Sequence, residues 1–355
     1  MQSNVWKHSK LVIGSIVLSS LISFVNLGHI SLSYAQVSER DTPREPPASV
    51  GPVDGQTYAV KVQGSQAYIG VGLRLIILDV SDPTTPVVLG ESTDLPDDVR
   101  DLKVVDSYAY LATGKGGLLV FDISDPSTPF QVGGYDTPGN ASGVYVSGKF
   151  AYIADGAAGT HIINVLEPSH LVLVGTAPTE RWDWEVFVID GVAYIAADEE
   201  GLRVVNVVDP SRPQQLATFS TYGDATGVFV ADGFAYVTAG SSGLWILDVT
   251  HPDNPVVANT DKSEYTRKVH VEGEFAYIST ERKGVMIINV KNPKRPRRLR
   301  RFAAARSANM VDVVDDYMFV ADGVGGLLAI SVSGSKNEER RREFRSLRRS
   351  PRNDR

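Results

Sequence analysis

The sequence predicts an all-β protein that folds as a single seven-bladed β-propeller. A unit of about 42 residues recurs seven times, and its most regular feature is an Ala-aromatic step such as Ala151-Tyr152 or Ala193-Tyr194. The aromatic residues are spaced by 42, 42, 42, 42, 41 and 42 residues, ending in a degenerate copy at Met318-Phe319. A fixed period of this size is typical of architectures that stack one supersecondary unit. We expect Tyr152 and Tyr194 to be buried between neighbouring blades.

Units 1 to 6 each contain four segments that read as short strands, and unit 7 contains the first three. The first alternates apolar and polar residues, as at Val144 and Val146, and the second contains the Ala-aromatic step. A Gly-rich loop such as 114–117 leads to a third strand, whose almost continuous apolar character predicts burial on both faces. An Asx-Pro step such as Asp125-Pro126 ends that strand, because proline has no N–H for a ladder. The fourth segment varies most between units, which favours an outer, solvent-facing strand.

The two chain ends are predicted to close the ring together. The seventh unit lacks a fourth strand, because the chain becomes polar and charged after Ser333. The stretch 45–57 is a candidate for the missing strand, although its three prolines favour an edge position. The predicted organisation is a segment at 36–57 with a possible closing strand, followed by the propeller at 58–335.

The third strand carries a family resemblance. The stretches 75–80, 118–123 and 244–249 follow or approximate the pattern Leu-x-Ile-x-Asp-Val, each preceded by an Ala-Tyr strand. This motif resembles the LVIVD repeat family, and the resemblance covers roughly residues 58–333. It implies an exported bacterial or archaeal propeller. It assigns no activity and no functional residue to this chain.

The N-terminal residues predict export. A short basic segment precedes the apolar run 11–27, and Ser33 and Ala35 provide small residues at the −3 and −1 positions of a cleavage site. This pattern is typical of a secretory signal peptide, here residues 1–35, with an uncleaved anchor helix as the alternative. Because the chain has no cysteine, export without disulfides indicates a bacterial periplasmic, cell-surface or extracellular location.

Charge is distributed unevenly along the chain. Residues 36–261 include 30 acidic and 11 basic side chains, whereas residues 262–306 include 4 acidic and 13 basic ones. The tail at 336–355 is also basic and is predicted to be disordered. This asymmetry suggests contact with an anionic surface through blade 6 and the tail. An exported protein without a recognition module is not expected to bind nucleic acid.

The densest basic patch falls in the predicted outer strand of blade 6. It comprises Lys294, Arg295, Arg297, Arg298, Arg300 and Arg301. One interpretation is a contact surface for an anionic polymer, lipid head groups or an acidic protein. The other is a perimeter strand that charge protects from edge-to-edge pairing.

Repeat symmetry predicts a binding rim where the first strand of each unit begins. Residue types vary between units at this point, and loops from all blades converge there around the axis. The candidate binding residues are Arg100, Asp101, Arg181, Trp182, Asp183, Trp184, Glu185 and Arg267. The two tryptophans are suited to stack on a sugar ring or to anchor a protein partner. The alternative is that one of them plugs the central channel.

Catalysis has little support in the sequence. Four histidines follow residue 35, and they form no Ser-His-Asp order and no metal-spaced pair. No catalytic residue, cofactor or metal ligand is therefore assigned. We expect a monomeric, non-enzymatic interaction module of the cell envelope that binds a protein or a polysaccharide. The alternative is a propeller hydrolase, a lactonase or a glycan-active enzyme, that uses Asp183 and Glu185 across the axis.

Overall fold

The computed structural model describes residues 48–50, 55–262, 264–280, 283–303 and 307–334. Over these residues the chain forms 28 β-strands in seven sheets of four antiparallel strands. No helix in this described part has the length and apolar character needed to cross a bilayer. The predicted signal peptide and the basic tail lie outside the described residues.

The first described strand, β1 (Ala48–Val50), belongs to the last blade, and blades 1 to 4 then follow in chain order. Blade 1 comprises β2 (Thr57–Gln63), β3 (Gln66–Val71), β4 (Arg74–Asp79) and β5 (Val87–Glu91). Blade 2 comprises β6 (Asp101–Val105), β7 (Tyr108–Ala112), β8 (Leu118–Asp122) and β9 (Phe130–Tyr135). Blade 3 comprises β10 (Gly143–Ser147), β11 (Phe150–Ala154), β12 (Thr160–Asn164) and β13 (Val172–Ala177). Blade 4 comprises β14 (Glu185–Ile189), β15 (Val192–Ala196), β16 (Leu202–Asn206) and β17 (Gln214–Phe219).

The remaining blades continue the same meander. Blade 5 comprises β18 (Gly227–Ala231), β19 (Phe234–Thr238), β20 (Leu244–Asp248) and β21 (Val256–Asp261). Blade 6 comprises β22 (Thr266–Glu272), β23 (Phe275–Thr280), β24 (Gly284–Asn289) and β25 (Arg297–Phe302). Blade 7 comprises β26 (Met310–Val314), β27 (Tyr317–Ala321), β28 (Leu327–Ser331) and β1.

Blade 7 joins the two ends of the chain. The seventh repeat supplies three of its strands, and β1 adds the fourth by pairing antiparallel with β28, with Ala48 opposite Ala329 and Val50 opposite Leu327. The first strands of consecutive blades are neighbours, and β26 of blade 7 lies beside β2 of blade 1. The predicted seven-bladed propeller, closed between its N- and C-terminal segments, is therefore confirmed.

The core lies between the blades. Tyr152 of blade 3 is 4% exposed and packs in one cluster with Val186 of blade 4, and Tyr194 of blade 4 is 3% exposed and packs with Val228 of blade 5. The burial expected for these two rings is thus confirmed. The third strand of each blade is buried at four or more successive positions, as its continuous apolar character predicts.

The fourth strands lie at the perimeter, where the proline turn after the third strand of the next blade packs closely against them. A Cβ atom on Gly90 would lie 2.5 Å from the carbonyl oxygen of Pro126, and one on Gly133 would lie 1.9 Å from that of Pro168. Only glycine allows such an approach of two backbones. Blade-to-blade packing therefore extends from the axis to the outer edge.

Candidate functional site

The first strand of every blade lines the central axis, so equivalent positions form rings around it. The residues at the entrance of the axis, one per blade, are Tyr58, Arg100, Ser142, Trp184, Thr226, Arg267 and Asn309, and all seven line one cavity. Repeat register alone had predicted that these positions share a rim. We call this space, of about 680 Å³, the rim cavity.

Loops between the strands complete the rim cavity. The further residues that line it are Gln56, Asn140, Trp182, Asp198, Asp224, Tyr265, Lys268 and Ser307. Most of them precede the first strand of a blade, in the loops that lead into the inner ring. The cavity therefore combines four aromatic rings with hydroxyl, amide, carboxylate and cationic groups.

Two tryptophans of blade 4 form the aromatic wall of the rim cavity. The ring centroids of Trp182 and Trp184 are 5.6 Å apart at an interplanar angle of 40°. Trp184 is 36% exposed, and its Nε1 donates to Oδ1 of Asp198 at 3.3 Å. Trp182 lies against Gly156, where a Cβ atom would be 2.7 Å from the indole. Both rings line the rim, and neither is among the residues around the channel below it.

Cationic groups line the rim on blades 2 and 6. The Arg100 guanidinium lies 4.9 Å from the centroid of Tyr58, and its Nη2 is 3.5 Å from Oδ2 of Asp98. Arg267 Nη1 donates to Oδ1 of Asn309 at 2.7 Å. These contacts hold each guanidinium against a neighbouring side chain at the cavity wall, so both are positioned before any ligand arrives.

A smaller space, the axial chamber, lies deeper in the channel and has a volume of about 230 Å³. One residue per blade surrounds it: Lys61, Lys103, Tyr145, Phe187, Phe229, His270 and Asp312. The four aromatic side chains among them form a continuous belt. Their neighbouring ring centroids are 4.8 Å apart for Tyr145 and Phe187, 4.8 Å for Phe187 and Phe229, and 5.3 Å for Phe229 and His270. Burial lowers the pKa of His270 to about 4, so its imidazole is neutral near pH 7.

Three carboxylates in the channel bind the backbone of the next blade. The N–H groups of Val144, Val228 and Val62 donate to Asp101, Glu185 and Asp312 at 2.9 Å, 2.9 Å and 2.7 Å. The innermost strand has an unpaired edge, so these bonds satisfy main-chain donors that no further strand can reach. Burial raises the pKa of Glu185, while the Lys268 ammonium 3.3 Å away opposes this effect.

The structure separates the predicted site residues into groups. Arg100, Trp182, Trp184 and Arg267 come together around the rim cavity. Asp101 and Glu185 lie deeper, around the axial chamber. Arg181 is exposed and does not line the cavity; its Nη1 lies 3.5 Å from the Glu199 carboxylate.

The position of Asp183 corrects the sequence-based prediction. Its carboxylate is fully buried and accepts hydrogen bonds from Arg203 Nη1 at 2.9 Å and 3.0 Å and from Thr160 Oγ1 at 2.8 Å. Burial raises the pKa of Asp183, and the Arg203 charge opposes that shift. The backbone of Asp183 pairs with Gly156, which turns its side chain into the sheet. Asp183 is therefore not available to a ligand at the rim, and the hydrolase alternative loses one of its two acids.

A second buried cluster has the composition of a catalytic triad but serves the fold. His161 Nδ1 lies 2.9 Å from Thr176 Oγ1, and its Nε2 lies 3.2 Å from Asp155 Oδ2. Asp155 also accepts hydrogen bonds from Thr137 Oγ1 at 2.7 Å and from the N–H of Gly139 at 2.7 Å. The His161 side chain is buried, so this network fixes the loop ahead of blade 3 to its sheet.

The basic patch lies on the perimeter strand β25 and the turn before it, and part of its charge is paired. Three ion pairs connect it to blade 5 and the following loop: Arg298–Asp261, Arg301–Glu264 and Lys294–Asp248. A patch with these partners presents less free positive charge than its sequence indicates.

Sequence reasoning did not find all of the site. Tyr265 and Asp224 enter the rim cavity at the same repeat position as Trp182, two residues before the rim residue of each blade, and Asp198 enters from the loop after the second strand of blade 4. The register contained the signal for Tyr265 and Asp224, although only Trp182 was selected from this position. The ring around the axial chamber was also missed, although the 42-residue spacing from Lys61 to Lys103 and onward contained the signal.

Fold and site together define a β-propeller with a loop-built cavity at one end of its axis. Seven consecutive segments of the chain match the LVIVD repeat, at residues 54–94, 96–137, 138–179, 183–221, 222–260, 264–301 and 305–335. The protein therefore belongs to the LVIVD repeat family. No curated protein matches the chain.

Several solved propellers share the fold at low sequence identity. The β-propeller domain of Cps50 (Swd1) from Myceliophteria thermophila superposes with a TM-score of 0.67 at 11% identity, over 81% of this chain and 100% of that one. The WD40 repeats of RRP9 give a TM-score of 0.65 at 10% identity, over 82% and 98% of the two chains. A functionally unknown protein from Desulfotomaculum acetoxidans superposes with a TM-score of 0.63 at 15% identity, over 74% of this chain and 90% of that one. At these identities the likeness concerns the fold alone.

Proposed function

We propose that this protein is a non-enzymatic interaction module of the cell envelope that binds a protein or polysaccharide at the rim cavity. The observation that carries the proposal is the convergence of one variable residue from each of the seven blades on a single concave surface of about 680 Å³. Concave sites with a few placed polar groups are where proteins generally bind ligands. Export is part of the proposal and is supported by the signal-peptide pattern of residues 1–35.

The aromatic wall supports a binding role for the rim. Trp184 presents an exposed ring, while its Nε1 is held by Asp198, so the indole is oriented before a partner arrives. Preorganised aromatic and arginine side chains are the residues that most often dominate interface energies. Arg100 of blade 2, held against Tyr58 of blade 1, adds a charged contact to the same cavity.

The test is a glycan-array and pull-down screen with the wild-type chain, repeated with Trp184→Ala. We expect this substitution to weaken binding by about 30-fold, roughly 2 kcal/mol, because a hot-spot ring is removed. Phe130→Ala is the matched control, since Phe130 is an exposed aromatic residue on the perimeter strand β9. The control variant should bind like the wild type.

The basic patch provides a second comparison in the same screen. Charge reversal at Arg297 and Arg298 should change only salt-dependent association, because both residues lie on the perimeter strand. Normal binding by Trp184→Ala together with failure of the reversed variant would locate the contact on blade 6 and contradict the rim proposal.

A hydrolase with its acid in the axial chamber is the second candidate. The observation in its favour is Glu185, because it lines the axial chamber and burial raises its pKa above the usual value, which is the direction that a general acid requires. Against it, Glu185 Oε2 accepts the N–H of Val228 at 2.9 Å and lies 3.3 Å from Lys268 Nζ, which are contacts that hold a carboxylate in a structural position. Turnover of a lactone or glycan that disappears in Glu185→Gln would favour the enzyme.

A further inference from the structure

We infer that the ligand of the rim cavity is a saccharide that contains uronate units, that is, sugar rings bearing carboxylates. This inference rests on the proposed binding function and names its ligand. It is carried by three properties of the cavity: the kind of carbon surface it offers, the polar groups between the rings, and the arrangement of charge around the axis.

The carbon surface of the rim cavity is almost entirely aromatic. Among the described residues that line it, Tyr58, Trp182, Trp184 and Tyr265 supply the rings, and none is Ala, Val, Leu, Ile, Met or Phe. A peptide anchor is usually buried in an apolar pocket, which this cavity lacks. A pyranose instead places its polarised C–H face on the electron-rich face of an aromatic ring, so flat indole and phenol surfaces suit it better.

The polar groups between these rings are those that recognise hydroxyl groups. Asn140 and Ser142 of blade 3 offer donors and acceptors next to the half of the cavity that carries Asp198 and Asp224, whereas the Asn309 amide of blade 7 is already bonded to Arg267 and to the carbonyl oxygen of Thr57. Asp198 uses Oδ1 to accept the indole N–H of Trp184, and its Oδ2 has no hydrogen bond within the described chain. A sugar hydroxyl both donates and accepts, so a mixed set of amides and carboxylates can satisfy a polyol.

Charge around the axis is arranged in two halves. The cations Arg267 and Lys268 belong to blade 6 and Arg100 to blade 2, with blades 7 and 1 between them. The carboxylates of Asp198 and Asp224 lie on the opposite half, on blade 4 and in the loop before blade 5. A ligand that fits both halves carries an anionic group on one side and neutral hydroxyls on the other.

Arg100 is the group best placed to receive the carboxylate. Its guanidinium lies over Tyr58, its Nη2 is 3.5 Å from Oδ2 of Asp98, and its Nε is buried without a hydrogen-bond partner in the described chain, so the fork is not saturated by protein groups. The planar fork of arginine matches a carboxylate in two parallel hydrogen bonds. The protein carries a net charge of −7, so this local placement of cations, and not the overall charge, must attract an acidic sugar.

The experiment is titration calorimetry of the full chain with oligogalacturonate and oligomannuronate, each compared with its carboxyl-reduced counterpart. We expect at least one uronate oligomer to bind tenfold or more tightly than its neutral counterpart, with affinity that falls as salt rises. Arg100→Gln should remove that preference. Arg212→Gln is the control, because Arg212 is an exposed arginine in a perimeter turn. This variant should keep the preference for the uronate oligomer.

The other outcomes distinguish this inference from the proposed function. Equal binding of acidic and neutral oligomers, lost in Trp184→Ala, would overturn the uronate inference and leave the rim site standing. Binding of a protein partner but of no saccharide, again lost in Trp184→Ala, would have the same meaning. Binding of any partner that is insensitive to Trp184→Ala would overturn the rim site itself.

Discussion

Asp312 of blade 7 accepts a hydrogen bond from the main-chain N–H of Val62 in blade 1 at 2.7 Å, across 250 residues of sequence. The other carboxylate oxygen lies 2.9 Å from Lys61 Nζ. The ring is therefore closed at two radii, by this side chain at the axis and by the pairing of β1 with β28 at the perimeter. Each closure can be removed separately.

Removing the inner closure should destabilise the protein. Asp312→Ala leaves the buried N–H of Val62 unpaired and removes the partner of Lys61, for which we expect a loss of about 3 kcal/mol. Urea unfolding, monitored by tryptophan fluorescence, measures this loss of stability. Asp253→Ala, at an exposed aspartate in a turn of blade 5, is the control and should change stability by less than about 0.5 kcal/mol. Equal stability of the two variants would contradict an energetic role for the Asp312 contact.

Removing the outer closure should lower the melting temperature. Deletion of residues 36–50 removes β1 and exposes the edge of β28, so we expect a decrease of about 3 °C or more. Deletion of residues 336–355, at the other end of the chain, is the control in the same calorimetric scan. An unchanged melting temperature after the first deletion would mean that the ring closes without β1.

His270 should make stability depend on pH. Burial lowers its pKa to about 4 in the folded protein, against about 6.5 when unfolded, although the Asp312 carboxylate 3.6 Å away opposes the shift. As pH falls through this window the unfolded chain takes up the proton first. The free energy of unfolding therefore has its full value above about pH 6.5 and decreases by roughly 3 kcal/mol as the pH falls toward 4.

The substitution His270→Phe tests this dependence, because phenylalanine already occupies the equivalent ring positions 187 and 229. Unfolding free energies measured from pH 4 to pH 7 should vary less in this variant than in the wild type. His251→Phe, at an exposed turn, should show the same change of unfolding free energy with pH as the wild type. Identical slopes for wild type and His270→Phe would show that another group is responsible.

The buried pair Asp183–Arg203 should be strongly coupled. Asp183→Ala leaves the buried Arg203 guanidinium with only the more distant Glu200 carboxylate, 3.6 Å from its Nε, and we expect it to cost about 3 kcal/mol. Arg203→Ala should cost a similar amount, and the double variant less than the sum of the two. The exposed pair Arg181–Glu199 is the control, and Arg181→Ala should cost under about 1 kcal/mol. Additive losses in the double-mutant cycle at Asp183 and Arg203 would refute the coupling.

The 42-residue spacing was sufficient to predict the blades and the position of the rim. Arg100, Trp184 and Arg267 share one repeat position, and a structure with repeat symmetry must place such residues on one ring. The same reasoning failed at Asp183, one residue before Trp184. Neighbouring residues of an extended chain point to opposite sides, and the backbone pairing of Asp183 with Gly156 decides which side faces inward.

The sequence by itself determined the repeat, the four strands of each unit and the burial of the Ala-Tyr rings, because these depend on local apolar periodicity and on turn residues. Only the tertiary structure decided that Asp183 pairs with Arg203, that Asp198 accepts the indole N–H of Trp184, and that Asp312 joins the last blade to the first. Those contacts bring together side chains from different blades or loops. Their distances depend on how seven twisted sheets pack around one axis, which no local pattern specifies.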